Sequence, residues 1–297
     1  MPATARSGYA RTMNTLIVAS LVACTGAPSE TETDGPVYDP NPPTTLGGDR
    51  PAVVVLPAGY DVAQTYPLVV LLHGYGVNST IQDAIFALGQ RTDALGFILV
   101  KPEGTVDSLG NQFWNATPEC CDFGNTGVDD VAYLGGLLDE ARTLYPVEHV
   151  ALVGHSNGGF MSYRLACEVP DKLDRIAVLA GAVYKDEADC AGTTPVSVLH
   201  VHGTLDASVA YASDATHAGA EESVGRWVTK AGCAGSPTVA ARNYLNSLPG
   251  DETTVTQYGG CAEDVDVQLW SAEGADHTFL GNNDAFKDDV ANWLVTP

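Results

Sequence analysis

The chain has 297 residues, with 14 Lys and Arg against 37 Asp and Glu and a net charge of −23. With 45% apolar residues it has ample material for a core, as one large α/β domain or two small ones. The acidic balance argues against nucleic acid or an anionic membrane surface as a partner, since such a surface repels polyanions.

In chain order, Arg6 and Arg11 precede a short apolar stretch, Leu16 to Ala23, which is too short to span a bilayer comfortably. Leu21-Val22-Ala23-Cys24 resembles the lipobox of bacterial lipoproteins, in which the cysteine becomes the lipidated first residue. An ordinary secretory signal is the alternative, and either one exports the chain. Residues 1–23 are thus expected to be a signal. Residues 24–46, rich in Thr, Pro, Gly and acids, are expected to be a flexible tether. Membrane contact is expected only through a lipid on Cys24. Loss of the signal removes two arginines and leaves 12 − 37 = −25, a charge that suits a salt-rich habitat where screening relieves self-repulsion.

Strand-like apolar runs recur at Ala52–Leu56, Leu68–Leu72, Phe97–Val100, Val150–Val153, Ile176–Leu179, Val196–Val201 and Val265–Leu269. Several are continuous rather than alternating, as in strands buried on both faces of a parallel sheet. Helical patterns fall between them at Thr80–Leu95, Val128–Tyr145, Gly159–Val169, Ala215–Ala231 and Asp284–Leu294. Strands alternating with helices predict an α/β fold, a three-layer sandwich around a mostly parallel sheet. No repeat or second linker interrupts it, so one catalytic domain is expected over residues 47–297.

Six cysteines remain after Cys24, an even number that predicts three disulfides in an exported chain. The preferred pairs are Cys167–Cys190 and Cys233–Cys261, which leaves the adjacent Cys120 and Cys121 as candidates for each other. Spacing alone leaves the connectivity open. No Cys or His cluster has zinc spacing, so no metal is expected.

Around Val150–Val153 lies the stretch that organises the rest. Gly154-His155-Ser156-Asn157-Gly158 fits G-x-S-x-G, with a strand before it and a helical segment after it, the setting of a nucleophile elbow. The turn would hold the Ser156 hydroxyl clear of the sheet, and the Asn157 N–H at a helix start could face an oxyanion. A hydrolytic serine needs a base and an orienting acid, in the chain order Ser, Asp or Glu, His for an α/β-hydrolase. His277 follows a strand and a loop of small residues and is assigned as base. Asp206 closes the strand-end segment Leu199-His-Val-His-Gly-Thr-Leu-Asp206 and is assigned as acid. His200 and His202 lie in and just beyond a strand, and His217 is expected on a surface helix. Leu71-Leu72-His73-Gly74-Tyr75-Gly76 ends a strand in a glycine-rich turn. Tyr75 would supply the second oxyanion N–H, and His73 is read as structural.

These segments share an order with a known family. His73-Gly-Tyr-Gly76, Lys101-Pro-Glu-Gly-Thr105, Trp114-Asn-Ala116 with Cys120-Cys121, Val128-Asp-Asp-Val131, the elbow, His202-Gly-Thr-Leu-Asp206 and Asp276-His-Thr-Phe279 carry the likeness. Together they resemble the polyhydroxybutyrate depolymerase-like esterases, which include feruloyl and acetylxylan esterases. The resemblance covers about residues 50–285. It implies the α/β-hydrolase fold and a serine carboxylesterase with Ser156, Asp206 and His277 as its triad and no cofactor. It also implies Trp114 as an aromatic wall near the cleft. The expected substrate is a hydroxyalkanoate polyester or its oligomers, with feruloylated or acetylated plant polysaccharide as the alternative. A non-catalytic surface binding protein on the same fold is the reading from another class, and a monomer is expected. Two departures stand out: Phe279-Leu280 replaces the family's frequent tryptophan and proline, and no polymer-binding module is expected.

Overall fold

The computed structural model describes residues 36–192, 194–262, 265–279 and 283–296. The signal, Cys24, most of the tether and Leu280 lie outside the described residues. The architecture below is that of Tyr38 onward.

In chain order, β1 (Thr45–Leu46), β2 (Ala52–Val55), β3 (Tyr66–Leu72), α1 (Ser79–Phe86), α2 (Thr92–Leu95) and β4 (Ile98–Lys101) come first. A small hairpin, β5 (Thr105–Val106) and β6 (Gln112–Phe113), leads to α3 (Asp130–Leu144), β7 (Val147–His155) and α4 (Asn157–Glu168). Then follow β8 (Arg175–Leu179), β9 (Ser197–Gly203), α5 (Ala220–Lys230), β10 (Thr238–Arg242), β11 (Thr253–Tyr258), β12 (Val267–Ala272) and α6 (Asp284–Val295).

The large sheet runs β1-β2-β4-β3-β7-β8-β9-β12-β11-β10. Its centre, from β4 to β12, is parallel, and antiparallel strands close both edges. This is the α/β-hydrolase fold. β3 has β4 on one side and β7 on the other, so the strand order reverses direction there. Sites in open α/β sheets gather at such a switch, beyond the carboxyl ends of the strands.

Alternation along the central strands explains the three layers. Leu68, Val70, Leu152, Ile176 and Val198 face one core with Leu137 of α3, Phe160 of α4 and Trp227 of α5. Val69, Leu71, Val153, Leu179 and Val201 face the other with Phe86 of α1 and Phe286, Val290 and Trp293 of α6. Both faces of each strand are dry, so the runs read as continuously apolar. Burying one Val or Leu side chain stabilises by roughly 1.5–3 kcal/mol, so the central strands set the scale of the fold's stability.

Several boundaries differ from expectation. Residues 45 and 46, expected in the tether, form β1 instead, since Thr45 and Leu46 pair with Val53 and Ala52, and the Tyr145 hydroxyl donates to the Pro43 carbonyl. The helix expected over 80–95 breaks at Ala87, whose left-handed φ of 54° caps α1. The helix expected from Ala215 starts only at Ala220. Sequence pattern gave no sign of β10, which is largely exposed and pairs only at the sheet edge. Asp129 caps α3 as a first-turn acid should, accepting from the Ala132 N–H at 2.8 Å. Asp130 instead turns inward to meet Arg50 at 2.6 Å and the Asn115 N–H at 2.7 Å.

Three disulfides are formed: Cys120–Cys121, Cys167–Cys190 and Cys233–Cys261. The second ties the end of α4 to the loop before β9 across 23 residues. Restricting a loop of that length in the unfolded chain stabilises the fold by about 3 kcal/mol. The double variant Cys167→Ser/Cys190→Ser should therefore lose stability of that order, read as a lower denaturant midpoint with a somewhat steeper slope, because the unfolded chain without the cross-link exposes more surface.

Candidate active site

The site begins with a backbone constraint. Ser156 joins β7 to α4 at φ 53° and ψ −120°, a strained conformation for a residue with a side chain. Its N–H donates to the Leu179 carbonyl at 2.8 Å, and its own carbonyl accepts from Gly159 and Phe160 at 2.8 and 3.0 Å. The turn closes because two glycines leave room. A Cβ on Gly154 would sit 2.1 Å from the Gly158 oxygen, and one on Gly158 would sit 2.3 Å from the Leu72 oxygen. As the first residue of α4, Asn157 has an N–H with no acceptor inside the helix.

The strand-end turn after β3 stands beside it: a Cβ on Gly74 would lie 3.4 Å from the His155 ring and 3.6 Å from the Ser156 Cβ. His73 is fully buried there. Its Nδ1–H donates to the Gly74 carbonyl at 2.8 Å and its Nε2 accepts from the Gly104 N–H at 2.8 Å. Burial lowers its pKa, so it stays neutral as a structural brace. Among the described residues the Tyr75 N–H has no partner, while the Tyr75 hydroxyl donates to Asp107 at 2.6 Å.

Trp114 is a correction. Expected to wall the substrate, it is fully buried. Its indole N–H donates to the His73 carbonyl at 3.0 Å. Its main chain exchanges two bonds with the Asn157 side chain, at 2.7 and 2.9 Å. The indole therefore pins the turn after β3 to the start of α4, and sequence could not tell a wall from a brace. The apolar wall is made by others. Tyr75, Phe123, Phe160, Val209 and the Cys120–Cys121 disulfide line a cavity of about 330 Å³ that also contains Ser156. Phe123 is largely exposed and meets the Tyr75 ring edge-on at 5.3 Å. His217, expected on a surface helix, is buried in the lining ahead of α5 and pairs with the Ala210 carbonyl at 3.0 Å.

Asp206 and His277 come together from the ends of β9 and β12. His277 Nδ1 lies 2.7 Å from Asp206 Oδ2. The other carboxylate oxygen accepts from the Ser208 and Val209 N–H groups at 2.8 Å each. Burial pushes the Asp206 pKa up, but hydrogen bonds from His202, His277 and Val209 outweigh it and hold the group well below the usual carboxylate range. It is an anion at neutral pH. Asp276, adjacent to His277, is exposed and caps Thr278 instead. Among the described residues no cluster of His, Cys, Asp and Glu could hold a metal ion.

His155, the variable residue before the serine, also has a part that its sequence position did not signal. Its Nε2 lies 3.0 Å from the His277 carbonyl, with the two rings 4.9 Å apart. It therefore ties the elbow to the loop that carries His277. A polar residue inside a glycine turn was the only sequence hint.

A family model described as "Putative esterase" matches residues 44–284. "Putative esterase NocK" from Nocardia uniformis subsp. tsuyamanensis is 32% identical over 142 residues, 47% of this chain and 40% of that protein. The chain thus spans less than half of that relative's length. Feruloyl esterase D from Neurospora crassa is 27% identical over 249 residues, 81% of this chain and 79% of that one. Among solved structures, the acetyl xylan esterase from Aspergillus awamori superposes with a TM-score of 0.62 at 16% identity, covering 87% of this chain and 97% of the other. At that identity the likeness is one of fold.

His155 gives the site an acid-sensitive support. Burial and, less strongly, the nearby His277 lower its pKa to about 4, against the opposing effect of its bond to the His277 carbonyl. The unfolded chain binds this proton near the ordinary value of about 6.5, so protons favour unfolding between the two values. The stabilisation is complete above about pH 6.5 and declines as the pH falls toward 4, by roughly 3 kcal/mol. His155→Gln, which keeps an N–H to reach the His277 carbonyl, should show a flatter fall in stability over that range. Denaturant melts at intervals from pH 7 to 4 measure it; parallel curves would refute it.

Proposed function

Because the chain belongs to the putative esterase family, we propose that it is an exported serine carboxylesterase with Ser156 as nucleophile, His277 as base and Asp206 as the orienting acid. One observation carries this reading. The strained serine lines a cavity with Ser208 and Val209, whose N–H groups hold the buried carboxylate bonded to His277, and His277 is tied to the elbow through His155. His277, with its Nδ1–H on Asp206, keeps Nε2 free to take the Ser156 proton as the hydroxyl attacks the ester carbonyl. The N–H groups of Tyr75 and Asn157 receive the oxyanion. His277 then protonates the leaving alcohol, and water repeats the cycle on the acyl-enzyme.

The substrate is an acylated plant polysaccharide, with a hydroxycinnamoyl group favoured as the acyl part. The feruloyl esterase match over four fifths of the chain supports this class, and the cavity supports the aromatic acyl. Its lining offers the Tyr75 and Phe123 rings, Phe160 and a disulfide for an apolar body. It also offers polar groups for a phenol. One of them is Glu119, which has a carboxylate oxygen shielded from solvent and without a partner among the described residues. An acetyl group would leave most of this lining unused. The hydroxyalkanoate polyester reading rests on motif resemblance alone, and neither the relatives named above nor the cavity favours it. Three disulfides suit an oxidising compartment outside the cytoplasm. A lipid on Cys24 is the proposed means of retention, and Cys24→Ser should release the protein from the membrane fraction.

Initial rates on methyl ferulate, acetylated xylan, a hydroxybutyrate trimer and p-nitrophenyl acetate test the reading. Ser156→Ala should lose roughly 10⁴- to 10⁶-fold in kcat, and a fluorophosphonate should label Ser156 in the parent. An unlabelled serine in a folded protein would favour a binding role. Methyl ferulate should exceed the trimer in kcat/KM; the reverse order would restore the polyester reading. Phe123→Ala should lower kcat/KM for methyl ferulate roughly 3- to 10-fold, the worth of one aromatic contact, and leave p-nitrophenyl acetate nearly unchanged.

A further inference from the structure

Behind Asp206 runs a file of buried titratable groups that the mechanism above does not use. His200 and His202 alternate on β9 and therefore share a face. Both are fully buried, as is Tyr163 of α4. The Tyr163 hydroxyl lies 2.9 Å from His200 Nδ1, and His200 Nε2 lies 3.0 Å from His202 Nδ1. The two imidazoles stack with their planes 12° apart. His202 Nε2 then lies 2.8 Å from the Val209 carbonyl and 3.2 Å from Asp206 Oδ2.

The protons in this file have one consistent arrangement. His202 Nε2 faces a carbonyl and a carboxylate, both acceptors, so it carries a hydrogen. If His202 is neutral, its Nδ1 accepts, and His200 Nε2 must donate. His200 Nδ1 is then bare and receives the Tyr163 hydrogen. Every buried donor and acceptor is matched. A second proton on His202 would reverse the file, because His200 would have to accept at Nε2 and donate from Nδ1 to the Tyr163 oxygen. The Tyr163 hydrogen would then lose its only acceptor among the described residues, at the cost of an unmade buried hydrogen bond.

We propose that Tyr163, His200 and His202 are positioning residues for the acid: their file locks His202 as the neutral Nε2–H tautomer, which gives Asp206 a donor without giving it a second cation. This rests on the proposed roles of Ser156, Asp206 and His277. Its effect is on charge as well as on aim. Asp206 must support the imidazolium that forms on His277 as the serine attacks, and a cation at His202 would compete for the same oxygen.

Several titratable groups face His202. Among the described residues Asp206 is the one carboxylate in hydrogen-bond contact with it. The Tyr211 ring stands edge-on at 5.8 Å, with its hydroxyl shared between Ser271 of β12 and Glu221 of α5. His155 at the end of β7 and His277 beyond β12 complete the set, and positive charge on either would oppose positive charge on His202. Complete burial holds His200 well below its ordinary pKa, so the file has no second site at which to store a proton.

Two measurements on the full chain test this. With ¹⁵N-labelled histidine, the imidazole spectra should show His200 and His202 as neutral Nε2–H tautomers at pH 7. A doubly protonated His202 would overturn the proposal, and this readout does not depend on any substrate. The second compares His202→Gln, which keeps a donor near the Nε2 position, with His202→Leu, which does not. Rates on p-nitrophenyl acetate are normalised to fluorophosphonate-titrated sites, so misfolded protein does not count. His202→Leu should lose about tenfold in kcat, with KM within about twofold of the parent. The acid limb of its kcat/KM profile should move to higher pH, because a carboxylate with one donor fewer holds a proton on its imidazole partner more strongly. His202→Gln should recover most of kcat and the parent limb. Equal shifts of the limb in both variants would mean that His202 is a cation in the parent, and unchanged kcat in both would mean that the file does not position Asp206. Failure of the probe to label Ser156 would instead count against the esterase reading and leave the spectra to decide the tautomer.

Discussion

The structure depends on one close approach, that of α4 to the carboxyl ends of β3 and β7. Ser156 can hold its left-handed conformation only because the Gly154 and Gly158 backbones nearly touch, with Gly158 also pressed against the Leu72 carbonyl. Such a conformation costs on the order of 1–3 kcal/mol. It is offset by α4, which buries Phe160, Met161, Tyr163 and Leu165 against the sheet and anchors the Ser162 hydroxyl on the Gly158 carbonyl at 2.8 Å. Helix burial and serine exposure are therefore one constraint. A side chain at either glycine would push α4 away and relax the serine at once.

Around that constraint, loops distant in sequence are fastened by buried polar pairs. Trp114 and Asn157 exchange backbone and side-chain bonds, Trp114 holds His73, and His73 holds Gly104. On the opposite side, His155 holds the carbonyl of His277. Each bond is worth only about 1 kcal/mol net, but leaving one member unpaired in a dry site costs more. The network thus specifies where Tyr75, Ser156 and His277 stand more than it adds stability.

The acid shows how burial and hydrogen bonding divide the work. Asp206 is taken almost out of water, which alone would favour its neutral form. Two main-chain N–H groups and two imidazoles reverse that preference. The result is a fixed anion in a low-dielectric setting, able to steady a nearby imidazolium with little reorganisation. Histidines elsewhere in this end of the fold are kept neutral by the same burial.

The sequence by itself determined the features that depend on local pattern. Continuous apolar runs marked the central strands because both of their faces are buried, and the glycines around Ser156 marked the elbow because no other residue fits there. Asp206 and His277 were marked by their places at strand ends, where the fold brings them within 2.7 Å, and an even number of cysteines pointed to paired disulfides. Tertiary structure alone decided what depends on partners far away. The strands β10 and β11 have no apolar signature because water faces them, so pairing of β11 with β12 and of β10 with β11 is what makes them strands. Trp114 carries the same side chain whether it lines a cleft or braces a turn, and only His73 and Asn157, reached through the fold, made it a brace. His200 and His202 read as strand residues until Tyr163 and Asp206 closed their ends. A hydrophobic period records how much of an element is buried, whereas a polar side chain's role is set by the atom opposite it, and residue order does not encode that atom.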